Sequence, residues 1–202
     1  MRSRTTLWLK VATHVLALAP LAVMGWATWQ DQLGADPIGL LTRRTGRWAI
    51  VFLLLSLLPT FLRTLTGFRG LLPVRRALGL YGFLYAGLHF LVFVGLDYQF
   101  DAPLIWQAIR EGRRVIAGLV AGLILVPLAL TSTRGWIKRM GKNWKRLHRL
   151  VYLAALLAVF HYAWTFKELR VAPIAAGAVL LLLLAVRLPP VARVLARGRS
   201  PE

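Results

Sequence analysis

The sequence predicts an all-α membrane protein: a polytopic bundle of six transmembrane helices with both termini in the cytoplasm. Three observations carry this expectation. The chain is 58% hydrophobic over 202 residues, and its apolar residues gather into several separate runs of about 20 residues, the length that crosses a bilayer. The charged residues concentrate between those runs. The tryptophans Trp8, Trp26, Trp29, Trp48, Trp106, Trp136, Trp144 and Trp164 fall near run ends or in loops, where indole favours the membrane interface. One bundle uses up the length and leaves almost no soluble mass.

The spans are expected at 7–28, 48–66, 77–96, 115–133, 147–166 and 171–188. The first follows a short basic stretch, as a signal peptide would. No small-residue cleavage site follows it at Trp26-Ala27-Thr28-Trp29, so a retained helix is expected. The stretches LGADPI and TGRWA are assigned to the first outer loop. Pro59 and Pro127 fall inside the second and fourth spans, where a missing amide donor kinks a helix. No repeat or low-complexity segment stands out.

Charge orients the bundle. The N-terminus, the loops after the second and fourth spans and the C-terminus hold 18 of the 26 basic residues. The other side holds eight, with six of the seven acids: Asp31, Asp36, Asp97, Asp101, Glu111 and Glu168. The positive-inside rule puts the basic side in the cytoplasm. The net charge of +19 is thus a topology signal, and a nucleic-acid partner is not expected. The absence of cysteine excludes thiolate ligation, iron–sulfur clusters, disulfides and haem attachment through CxxCH. The spans carry no carboxylate, which disfavours a proton pump, and no Glu-x-x-His set for a di-iron centre.

Histidine is the remaining soft ligand. His89, His148 and His161 lie in or at the edge of apolar spans, where a titratable group is costly and is a functional candidate by default. Counted from the cytoplasmic ends of the third and fifth spans, His89 and His161 lie at depths of about 18 and 21 Å. Two imidazoles at one depth on two helices can hold one haem iron from opposite faces, an arrangement suited to electron transfer. His148 stands at the start of the fifth span, about 20 Å nearer the cytoplasm than His161. It is a candidate ligand of a second haem, although its spacing from His161 puts the two on different faces of a straight helix. About four turns before His89, on the same face, stands Arg75, with Arg76 beside it. Arginine ligates iron poorly but suits a haem propionate. His14 in the first span is a further candidate, with a plain hydrogen bond to a neighbouring helix as the competing reading.

The stretches LKVATHV, LGADPI, TGRWA, LLPVRRALGLYGFLYAGLH, LALTSTRGWIKRMGKNWKRLHRLVYL and FHYAW resemble the haem-binding membrane subunits of the bacterial periplasmic protein-methionine-sulfoxide reductase system. That group belongs to the ferric-reductase-like transmembrane proteins, with the eukaryotic NADPH oxidases as distant relatives. The resemblance covers nearly the whole chain. It implies b-type haem, FMN, and an inner-membrane electron-transfer subunit rather than a catalytic one. Electrons would come from a cytoplasmic flavin reductase or the quinol pool. They would pass to a periplasmic molybdopterin-containing subunit that reverses methionine oxidation in envelope proteins.

His89, His148 and His161 match the family pattern. The oxidases carry two histidines on the third helix; here Arg75 stands at the inner position, so one complete two-histidine site is expected and a second is only half specified. The oxidases' cytosolic flavin domain has no counterpart after the sixth span, so a separate donor is expected. No GxGxxG in a strand–helix context marks a flavin site. The alternatives are a stand-alone ferric or quinone reductase and a haem-free membrane anchor for a periplasmic protein.

Overall fold

The structure is a computed structural model and describes residues 4–166 and 170–187. Arg2, Glu168, Arg193, Arg197 and Arg199, which count among the charges of the two sides, lie outside those residues, as does the end of the sixth span at 188. Every regular element described is helical. They are α1 (Arg4–Trp29), α2 (Pro37–Thr66), α3 (Arg75–Leu91), α4 (Ala102–Glu111), α5 (Arg113–Leu130), α6 (Arg134–Met140), α7 (Lys142–Leu147), α8 (Leu150–Trp164) and α9 (Val171–Ala185). A 3-10 turn, Leu72–Val74, leads into α3, and a π-helical segment, Val92–Asp97, continues it.

Five stretches are long and apolar enough to cross a membrane: Arg4–Trp29, Pro37–Thr66, Leu72–Asp97, Arg113–Leu130 and Lys142–Trp164. The sixth expected span appears as α9, an apolar helix of 15 residues, short of the roughly 20 that span a bilayer. The structure therefore supports a polytopic helical bundle, with five helices of spanning length among the described residues.

The largest departure is in α2. It starts at Pro37 rather than at the expected 48, and takes in all of TGRWA. The local signal is strong. Asp36 caps the helix by accepting from the Gly39 amide at 2.9 Å, and Pro37 opens the first turn. The Asp36 carboxylate also pairs with Arg43 at 3.1 Å. A helix runs on beyond the apolar slab because its backbone bonds are internal, whereas the charges of Arg43, Arg44 and Arg47 had marked a loop. The loop between the third and fourth spans likewise contains α4, capped by Asp101 accepting from the Leu104 amide. The basic loop before the fifth span folds into α6 and α7.

The core joins α2, α5, α8 and α9 around Leu53, Leu57, Leu125, Leu128 and Leu180. Helix α3 lies tightly along α2: a side-chain carbon at Gly82 would come within 3.1 Å of the Leu53 backbone nitrogen. Such close approach of backbones is how membrane helices associate where water supplies no driving force. A second cluster, Ala17, Met24, Phe52 and Tyr85, seats α1 on this pair. There the fully buried Tyr85 hydroxyl donates to the Ala17 carbonyl at 2.7 Å.

Candidate metal centre

Helices α3 and α8 bring His89 and His161 face to face. Their ring centres lie 6.1 Å apart and the planes are inclined by 70°. Each ring is held from behind. His89 Nδ1 donates to the Thr42 carbonyl of α2 at 3.0 Å, and His161 Nδ1 donates to the Arg114 carbonyl of α5 at 2.7 Å. A carbonyl only accepts, so each Nδ1 carries the proton and each Nε2 keeps its lone pair. Neither Nε2 has a hydrogen-bond partner among the described residues. Imidazoles that ligate metals are oriented by this kind of outer hydrogen bond.

The spacing can be tested against a metal. Two nitrogen–metal bonds of about 2.0 Å, with roughly 1.1 Å from nitrogen to ring centre at each end, put the centres about 6.2 Å apart. The observed separation matches one atom between two imidazoles. Among the described residues no group of three or more His, Asp or Glu is assembled to hold a bare ion. A two-imidazole set fits iron whose four equatorial positions are filled by a macrocycle, and so fits haem.

Two glycines admit the rings. A side-chain carbon at Gly46 would lie 3.1 Å from the His89 ring, and one at Gly118 would lie 2.9 Å from His161 Nδ1. The two halves repeat. Thr42 and His89 are 47 residues apart, as are Arg114 and His161. Gly46 precedes His89 by the same interval as Gly118 precedes His161. The set Arg114, Gly118 and His161 is therefore the set Thr42, Gly46 and His89 displaced along the chain by one constant interval. The repeat is one of backbone partners and clearances, carried by few shared residue types.

His148 is placed differently. It follows α7 just before α8 begins. Its Nδ1 lies 3.1 Å from the Trp144 carbonyl and its Nε2 lies 3.2 Å from the Leu128 carbonyl, with Ser132 Oγ at 3.5 Å. Its ring stacks on Trp144 at 3.9 Å. A carbonyl thus stands within reach of each nitrogen, and the single N–H of a neutral ring donates to one of the two. Arg114 opens α5 and Leu128 lies near its end, so the partners of the two histidines are separated by about 21 Å along that helix.

The same displacement pairs His148 with Arg76 rather than Arg75. Arg76 donates to the Ser132 carbonyl at 3.1 Å, on the same residue whose hydroxyl faces His148. Arg75 is near enough to His148 to act on it electrostatically. His14 Nδ1 lies 2.8 Å from the Tyr81 hydroxyl, a bond between neighbouring helices.

The opposite end has an open cleft of about 750 Å³, lined by Tyr98, Glu111, Arg114, Trp164 and Phe166 among others. It adjoins the His161 side of the pair through Arg114, whose carbonyl receives the ring proton. The Asp36 carboxyl at this end is held below the usual carboxylate value, first by the Gly39 amide and then by Arg43.

Residues 45–159 match the family described as ferric reductase like transmembrane component. The chain is 43% identical to the protein-methionine-sulfoxide reductase heme-binding subunit MsrQ of Xanthomonas euvesicatoria pv. vesicatoria over 86% of its own length and 83% of the relative's. It is 45% identical to the same-named subunit of Rhodospirillum rubrum, over 96% of its own length and 93% of the relative's. The chain belongs to the ferric-reductase-like transmembrane family and, within it, to the group of the MsrQ subunits.

Proposed function

We propose that this chain is a b-type haem electron-transfer subunit of the bacterial inner membrane, with six spans and both termini cytoplasmic. It would relay electrons from a cytoplasmic flavin reductase or the quinol pool to a periplasmic molybdopterin-containing methionine-sulfoxide reductase. The observation that carries this reading is the facing of His89 and His161 at 6.1 Å, each with Nδ1 bound to a carbonyl. His89 and His161 would hold the haem, which would supply reversible one-electron chemistry there.

The chain's own residues supply the rest. Thr42 and Arg114 hold the rings in one tautomer, and Gly46 and Gly118 leave room for them. Two rings fixed in advance would offer a bound group a preset pair of donors, which limits the reorganisation that electron transfer requires. The cleft beside Arg114 and the segments 33–37 and 97–114 form the docking side for the periplasmic subunit. At the other end, the basic residues of α6 and α7 attract an acidic donor protein or anionic FMN. His148, with Arg75 and Arg76 nearby, marks the inner side, where a second haem or its propionates would lie.

Purified protein tests this. A pyridine haemochrome assay with protein quantitation should identify b-type haem, and the absorption spectrum should be low-spin. A low-spin spectrum that persists unchanged in both His89→Ala and His161→Ala would sink the pairing.

A further inference from the structure

The geometry points to a binding site for an anionic phospholipid between α1 and α3, at the end where the basic loops lie. A cavity of about 390 Å³ opens there, lined by Lys10 and His14 of α1 and by Arg76, Leu80, Tyr81 and Leu84 of α3, among others. This site is distinct from the histidine pair and does not depend on it.

The lining is graded along the helix axes. Lys10 and Arg76 lie toward the basic end. His14 is one turn further along α1 and Tyr81 more than one turn further along α3, about 6 and 7.5 Å deeper. Leu84 lies beyond Tyr81 on the same helix, about 12 Å deeper than Arg76. The order is therefore two cations, a polar pair with Leu80 at the same depth, then Leu84. An inner-leaflet phospholipid presents the same order: a phosphate, ester carbonyls, an acyl chain.

The cations suit the first position. Arg76 uses one nitrogen on the Ser132 carbonyl, and a guanidinium has five donor hydrogens. Neither Lys10 nor Arg76 forms an ion pair among the described residues, whose single such pair is Arg43 with Asp36. The chain's acids lie mostly at the opposite end, so an anion here must come from outside the described fold. The polar pair suits the second position. His14 and Tyr81 bond each other at 2.8 Å, and one His14 nitrogen remains to meet an ester oxygen. Helix α1 packs chiefly on α3 and the 3-10 turn before it, and exposes Leu7, Val11, Val15 and Leu18. A lipid seated in the gap would complete its packing.

Native mass spectrometry of the detergent-solubilised protein, titrated with phosphatidylglycerol or phosphatidylcholine, tests the site. Wild-type protein should retain one phosphatidylglycerol in preference to phosphatidylcholine. Lys10→Ala with Arg76→Ala should weaken that binding roughly 25-fold, each basic residue near an anionic lipid contributing about fivefold. The charge-keeping pair Lys10→Arg with Arg76→Lys should restore it. Leu80→Trp, which fills the cavity and keeps both cations, should also expel the lipid, so the test survives if the double alanine variant misfolds. Equal binding by the alanine pair and Leu80→Trp would overturn the proposal, as would equal retention of the two lipids. A retained mass matching a water-soluble phosphate ester, surviving delipidation, would overturn the lipid assignment.

Discussion

The imidazoles of His89 and His161 face each other at 6.1 Å, and each Nδ1 donates to a carbonyl 47 residues earlier in the chain. Two nitrogens on separate helices are thereby left with lone pairs and nothing in the described fold to receive them. Replacing either ring by alanine removes one of the two nitrogens proposed to hold the haem. Both variants should lose the low-spin haem spectrum, read by optical absorption and electron paramagnetic resonance.

His148 should behave otherwise. It stands about 21 Å from the pair along α5, with a carbonyl within hydrogen-bond reach of each ring nitrogen. The His148→Ala variant should keep the low-spin signal that His161→Ala abolishes. Parallel spectra of the two variants decide it, and loss of the signal in His148→Ala would refute the separation.

The glycines make a sharper test because they touch no metal. Alanine at Gly118 would put a carbon 2.9 Å from a ring pinned by its own hydrogen bond, while alanine at Gly122 meets nothing within 4 Å. Gly118→Ala should tilt His161 and weaken haem retention by about 10- to 100-fold, the usual effect of disturbing a ligand's support. Gly122→Ala should leave it unchanged. Gly46→Ala, at 3.1 Å from His89, should fall between them. Haem dissociation to an apo-globin scavenger measures all three.

Tyr85→Phe should loosen α1. The substitution removes a fully buried donor that bonds the Ala17 carbonyl of α1. Interhelical hydrogen bonds in membranes contribute about 0.6 to 1.7 kcal/mol. The thermal unfolding midpoint in detergent should fall accordingly, with the haem spectrum retained.

The cap of α2 predicts a pH effect. The folded-state value of Asp36 is depressed, by the Gly39 amide first and Arg43 second. Its contribution is therefore present above the unfolded carboxylate value of about 3.9 and is lost as pH falls through the lower folded value. Wild type should lose stability below about pH 4 by more than Asp36→Asn, which keeps an acceptor for Gly39 but carries no titrating charge. Unfolding midpoints in acid and at neutral pH for the two proteins give the comparison.

Several features were legible before any fold. Runs of apolar residues define membrane helices because the bilayer leaves the backbone no partner but itself. Counting residues along two such helices set His89 and His161 at one depth, because an α-helix advances by a constant rise. The start of α2 was also written locally, in Asp36 and Pro37. Hydropathy overrode it, because charge reports where the bilayer ends and not where the helix does.

Tertiary structure alone decided which atoms of those histidines remain free. A ring nitrogen is claimed or released by a carbonyl on another helix, and no property of the chain near position 89 names Thr42, or near 161 names Arg114. The same holds for Gly46 and Gly118, whose value is the clearance they leave for a side chain far away in sequence. The shared intervals between these positions were present in the sequence throughout. They acquire meaning only once packing shows that what repeats is a set of backbone contacts, which residue identity encodes weakly. The sequence by itself thus determined a helical membrane bundle with two histidines at one depth. The packing of α2, α3, α5 and α8 decided that their rings face each other with each Nδ1 held on a carbonyl, because ring direction is set by contacts between helices.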